Sequence, residues 1–165
     1  MLHLYAAFAY NLDARTIGIL ATGASCTSIP VGFTAGWMMD RFGRKWTMVP
    51  GFTGVTIAMA LLALTAFVHA PFWVYVPVFL VTVVTQALTG SSIQTVGADV
   101  APATGRATFL GVYRLTGQIG TALAPIGFAL LADNAGYGYS FAFLSAAAGI
   151  VAYLLLTRIP ETGSR

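Results

Sequence analysis

Asp40-Arg41-Phe42-Gly43-Arg44-Lys45 places one carboxylate beside three cations around a glycine. Residues of these types at this spacing can make and break ion pairs, which is conformational chemistry rather than catalysis. A second group, Arg114, Gln118 and Thr121, recurs at i, i+4 and i+7, so a helix would carry all three on one face. A third is Thr82, Thr85, Gln86, Thr89 and Ser92, at three-to-four spacing. Reaction chemistry has no comparable set. Serine, histidine and carboxylate never cluster, and no glycine-rich phosphate loop follows a strand-like run. His3 and His69 lie far apart without metal-ligand spacing, and Cys26 is the single cysteine. No enzyme, metal or cofactor is therefore expected, and with one cysteine no disulfide framework exists.

The elements that must carry these groups follow from composition. Of 165 residues, 58% are hydrophobic and 8% charged, and mean hydropathy is +0.81. An average soluble domain has about 25% charged residues. So few charges cannot cover a water-soluble surface, whereas a bilayer asks for an apolar one. No Lys/Arg stripe interleaved with aromatics suggests a nucleic-acid partner. Between the charges lie apolar stretches at 16–39, 46–68, 72–98, 107–132 and 139–157, each near or above the ~20 residues that cross a hydrocarbon core. The fold class is an all-α integral membrane bundle of about five spans. Connections are short, so consecutive helices are expected to pack antiparallel.

Charge asymmetry sets an orientation. Arg41, Arg44, Lys45, Arg106, Arg158 and Arg165 fall on one side, and Arg15 alone on the other. The positive-inside rule makes the first side cytoplasmic, with the N-terminus outside and the C-terminus inside a cell inner membrane. Residues 1–10 have no basic n-region and too short an apolar run for a signal peptide. They read as the tail of a missing preceding helix, and the chain as a fragment of something longer.

The Gly36–Lys45 stretch has a chemistry of its own. Gly36 permits another helix to approach closely. Asp40 ends its helix with a carboxylate that a helix N-terminus or a cation would stabilise. Gly43 tolerates the positive φ of a tight reversal. As charge alone this is a basic loop obeying the positive-inside rule. Its spacing, Gly, three residues, Asp-Arg, one residue, Gly-Arg-Lys, resembles the signature loop of the major facilitator superfamily at every defining position. Asp99-Val100-Ala101-Pro102, Gly105-Arg106 and Gly111-Val112-Tyr113-Arg114 resemble that family's tenth-to-eleventh helix junction. Gly117, Gly120 and Pro125 continue the pattern, and Arg158-Ile159-Pro160-Glu161-Thr162 resembles the exit from a half.

The resemblance covers the whole chain and implies the eighth to twelfth helices of a two-half, twelve-helix fold. A register at the second to sixth helices competes. There the fourth helix usually carries an arginine before a glycine-rich run, but the span from Phe72 to Ala98 has no charge. What the resemblance implies is a secondary transporter for a small solute, working by alternating access about a midplane site. H⁺ is one coupling ion the family uses, and the missing N-terminal half would be a partner alongside the lipid bilayer. Gly36, Asp40, Arg41, Gly43, Arg44 and Lys45 would form a conformational gate. Asp13, Asp40, Asp99, Asp133 and Glu161 all lie at span ends, so a titrating carboxylate would belong to the other half.

Arg114 is the one clear intramembrane charge, and such residues are expensive in lipid. With Gln118 and Thr121 it suits a cavity or gate lining. It could equally snorkel to the interface or pair with Asp99. The Thr82–Ser92 stripe suits helix packing, with Gln86 as a candidate cavity residue. Gly18, Thr22, Ser25, Gly32 and Gly36 on the first span, and Gly120 with Ala124 on the fourth, read as packing faces. Trp73, Tyr75, Tyr137 and Tyr139 read as interfacial anchors. Two functions of different classes remain: part of a transporter, or a truncated, non-transporting membrane protein with a structural or assembly role.

Overall fold

The computed structural model describes residues 2–43 and 45–158. Every described element is a helix: α1 (Leu2–Tyr10), α2 (Ala14–Phe42), α3 (Lys45–Phe67), α4 (Phe72–Val100), α5 (Arg106–Ala135) and α6 (Tyr137–Arg158). Five of them, α2 to α6, are long and apolar enough to cross a membrane. Each contains one of the five apolar stretches of the sequence and extends it by a few residues, except that the second ends at Phe67 rather than Val68. Large apolar side chains such as Ile19, Leu64, Trp73, Leu123 and Leu154 are exposed on all five, as a lipid-facing surface requires. Pro30, Pro50, Pro77 and Pro125 all lie inside helices.

Glycine and local capping set the helix ends. At Gly43 φ is 90°, a region disfavoured for residues with a Cβ, and its N–H closes α2 by donating to Met39 O at 3.1 Å. The expected reversal is present at that residue. Asp13 caps the other end of α2, accepting from the Thr16 hydroxyl at 2.5 Å and the Thr16 N–H at 3.4 Å. Those bonds, the hydroxyl first, hold its carboxyl below the usual carboxylate range. Gly136, with φ 96°, ends α5 and donates to Ala132 O and Leu131 O.

Consecutive helices meet at α3–α4 and α5–α6, but the most extensive contact joins two helices far apart in sequence. α3 packs most extensively on α6 and then on α4, and α2 lies against α4 more than against α3, whereas α4 and α5 barely meet. Small residues decide these partners. A Cβ on Gly54 would stand 2.5 Å from Thr85 Cγ2, and one on Gly51 3.0 Å from Thr89 Cγ2. Backbones this close gain dispersion and carbonyl contacts, the main cohesion available within lipid. On the other side, Ser145 Oγ donates to Thr56 O at 2.8 Å, and a Cβ on Gly149 would lie 3.3 Å from Thr56 Cγ2.

One end of the bundle is an aromatic cluster. Tyr5 of α1 has the Tyr137 and Phe141 rings at 5.2 Å and Tyr75 at 5.7 Å, in tilted or edge-on geometry. Edge-to-face pairs add about 0.5–1.5 kcal/mol each beyond area burial. Tyr75, Phe79 and Phe141 are fully enclosed. Tyr75 donates its hydroxyl to Leu2 O at 3.0 Å, and Tyr10 donates to Ala70 O at 2.9 Å. The reading of four interfacial anchors is thereby halved: Trp73 and Tyr139 are exposed, but Tyr75 and Tyr137 belong to the cluster. Two residues along a helix are about 200° apart, so adjacent odd-numbered aromatics cannot share a face.

Candidate functional site

α4 and α5 touch near one end and then part. Gly105, with φ 74°, starts α5, and the Arg106 guanidinium donates to Ala98 O at 3.1 Å, a cation against the C-terminal end of α4. Two turns on, Tyr113 lays its ring where a Cβ of Gly97 would stand and donates its hydroxyl to Ile93 O at 2.9 Å. Gly97 is what allows that ring to reach the α4 backbone. Beyond this clasp the helices enclose an open groove of ≈ 560 Å³ lined by Gly90, Ile93, Gln94, Tyr113, Arg114, Gly117, Gln118 and Thr121.

The groove brings together Arg114, Gln118 and Thr121, three of the four candidate cavity residues. Arg114 is exposed in it. A guanidinium with a Gln amide nearby and glycine backbone between them can hold a carboxylate, phosphate or other polar acceptor. Gln94 joins them, one turn beyond Gly90. Gln94, nearer the basic end of its span, is hard to place from sequence, yet its i+4 relation to Gly90 is a legible signal.

Gln86, the fourth candidate, lies elsewhere. It lines a separate recess of ≈ 420 Å³ with Leu2, His3, Met59, Phe79, Val83, Phe141 and Leu144. His3 was set aside on sequence because it has no ligand spacing. Its Nδ1 is buried with no hydrogen-bond partner among the described residues, and its ring meets Phe79 edge-on at 5.4 Å. The rest of the α4 stripe packs: Thr82, Thr89 and Ser92 are buried, and each bonds a carbonyl of its own helix.

Of the gate-loop residues, Gly36, Asp40 and Arg41 lie in α2, Gly43 caps it and Lys45 begins α3. Asp40 and Arg41 are exposed and still helical, so α2 runs two residues past the carboxylate that was expected to end it. Arg41 stacks its guanidinium over Trp37 at 5.3 Å and Phe42 at 5.7 Å, a cation–π arrangement worth about 0.5–1 kcal/mol when exposed. Lys45 donates to Leu156 O at 3.2 Å, tying the start of α3 to the end of α6. Arg44, Glu161 and Arg165 lie outside the described residues.

The small-residue faces of α2 and α5 meet few neighbours among the described residues. Gly36 has nothing within 4 Å of a built Cβ, and neither do Gly18 or Gly120. Of the α2 stripe only Gly32 approaches a neighbour, Ser91 Oγ at 3.7 Å. Thr22 and Ser25 are exposed and bond carbonyls of α2 itself. Gly18, Gly36 and Gly120 thus have no close packing partner among the described residues.

No curated protein and no solved structure matches the chain. A family model described as Major Facilitator Superfamily matches residues 1–165. The signature loop, the five long apolar helices and that full-length match agree, and the chain belongs to the major facilitator superfamily.

Proposed function

We propose that this chain is the C-terminal part of a secondary transporter that moves a small polar solute by alternating access. On this reading α2 to α6 are the eighth to twelfth helices, α1 is the end of the seventh, and the basic side is cytoplasmic. Solute would pass along the α4–α5 groove, where Arg114, Gln118 and Thr121 meet Gln94. The observation that carries the reading is this juxtaposition within a family of transporters. A guanidinium costs several kcal/mol in hydrocarbon, so a groove that exposes one is best understood as water-filled.

The gate loop has the parts of a latch. Asp40 is exposed at the end of α2 and available to a helix N-terminus of the other half. Arg41 is held over Trp37 and Phe42. Forming and breaking the Asp40 contact would accompany the switch between inward- and outward-open states.

Water access tests the route directly. Arg114, Gln118, Thr121 and, as a lipid-facing control, Leu123 are each replaced by Cys in a Cys26→Ser background. The expected result is rapid modification of the first three by a membrane-impermeant cationic thiol reagent and slow modification of Leu123→Cys. Equal, slow rates at all four positions would sink the groove as a solute path. Uptake into liposomes holding the chain with its other half, but not the chain alone, separates a transporter part from a structural element.

A further inference from the structure

A separate recess opens at the end of the bundle where α1, α3 and α5 finish. Its volume is ≈ 390 Å³, and four aromatic side chains, Tyr5, Phe67, Tyr137 and Tyr139, line it. Phe67 and Tyr139 stand at 90° with centroids 5.1 Å apart, and Tyr5 and Tyr137 are 5.2 Å apart at 62°. Two steeply crossed pairs make walls set at angles, not a flat stack. Gly138 seats the first pair: a Cβ there would stand 2.6 Å from Phe67 Cε1, so that ring lies on the backbone of the first turn of α6. Phe67 is 48% and Tyr139 58% exposed, and each ring therefore keeps open surface. The recess shares no residue with the α4–α5 groove.

Rings and helix ends both favour a cation here. Aromatic faces carry the negative part of the ring quadrupole. The lining includes Ala9, Phe67 and Ala135, each the last or next-to-last residue of its helix, and helix C-termini carry partial negative charge. The start of α6 at Tyr137 offsets one of the three. Asp13, Arg15 and Asp133 are the charged side chains at this end among the described residues, two carboxylates to one guanidinium, and none lines the recess. His69, the one basic side chain in the lining, is exposed. A metal ion or a primary ammonium would give up hydration to walls made mostly of rings. A quaternary ammonium has no N–H to satisfy, and its methyl groups suit such walls. We propose that this recess binds a quaternary ammonium group. Helix ends lie at head-group level, where the choline head of a phospholipid and a free quaternary amine both carry that chemistry. The proposal goes beyond transport and does not depend on the α4–α5 groove.

Ring currents supply the readout. Choline is titrated with the full chain in a maltoside detergent, and its methyl proton signal is followed by NMR. The expected result is a saturable upfield shift. Dimethylbutanol, the uncharged carbon isostere of choline, should bind about tenfold more weakly, and Tyr139→Leu and Phe67→Leu should each weaken choline about fivefold. Tyr139→Phe and His69→Gln should bind choline as the parent does. No saturable shift, equal affinity for choline and the alcohol, or Leu variants that bind like the parent overturns the assignment. The comparison of choline with the alcohol uses the unaltered chain, so it stands even if a variant does not fold. Bilayers distinguish the sources. Weaker choline binding in phosphatidylcholine than in phosphatidylethanolamine makes the lipid head group the occupant, and equal binding makes it a free quaternary amine.

Discussion

The α3–α4–α6 block and the α4–α5 opening are written in the same residue alphabet and do opposite things. Both are rich in glycine and hydroxyl side chains at three-to-four spacing. In the block these residues meet: Gly54 faces Thr85, Gly51 faces Thr89, and Gly149 faces Thr56. Along α5, which forms one wall of the opening, Gly111, Gly117 and Gly120 have nothing within 4 Å, and Thr116 and Thr121 bond carbonyls of α5 itself. A small-residue stripe is thus permission to approach, not evidence of a partner. What separates the two regions is the company of the glycines. Near those of α3 stand Val55, Met59 and Leu62, which belong to or pack on the buried apolar cluster, whereas Gly117 of α5 lines the groove with Arg114 and Gln118.

Adding bulk breaks the comparison most sharply. Gly54→Leu would drive a side chain into Thr85 and is expected to destabilise the purified chain by about 1–3 kcal/mol, the usual range for overpacking. Gly120→Leu should stay within about 0.5 kcal/mol, as a substitution away from close contacts does. Reversible denaturant unfolding in detergent, followed by helical circular dichroism, measures both. Similar losses at the two glycines would mean that α5 is closely packed after all.

Hydroxyl deletions sharpen the same contrast at lower amplitude. Ser145 Oγ bridges α6 to Thr56 O of α3, and interhelical hydrogen bonds in membranes are worth about 0.6 kcal/mol on average. Ser145→Ala should cost about that much. Thr121 Oγ1 donates to Gly117 O on its own helix, at an exposed position. Thr121→Ala is expected to leave the unfolding midpoint unchanged, and an equal shift in both variants would erase the distinction between bridging and local hydroxyls.

How much of this was legible in sequence divides along the same line. Span positions were legible because apolar runs bounded by charges answer to one solvent, the bilayer. The Gly43 turn was legible because few residues tolerate its backbone. Gathering Arg114, Gln118 and Thr121 needed only helical periodicity. The separation of Gln86 from them was not legible, since it depends on α4 and α5 diverging above the Tyr113 clasp. Nor was the burial of Tyr75, because a tyrosine near a span end serves equally as an anchor or as a core residue. The difference is made by α1, whose Tyr5 sits among those rings. Gly18, Gly36 and Gly120 mark the limit: their spacing is that of packing glycines, and no neighbour meets them among the described residues.

The smallest expected effect lies at the start of α2, which belongs with the open region. Few of its side chains are buried, Ala35 and Met39 among them, so local bonds carry a larger share of its order than in α3. Asp13 is the clearest of these, accepting from both the hydroxyl and the N–H of Thr16. Because the folded-state carboxyl is held below its ordinary value, its contribution is present above the unfolded value and is lost as pH falls through the depressed one. Asp13→Ala should therefore fray the first turn near neutral pH, visible as faster amide exchange at Thr16 and Ile17. The parent and the variant should converge once the pH drops below the usual carboxylate range. Exchange at Thr56 and Ser145, inside the close-packed block, should not change at any pH. A loss that spread from Asp13 into that block would show that the two regions unfold as one unit, and the contrast between them would then be one of packing only and not of stability.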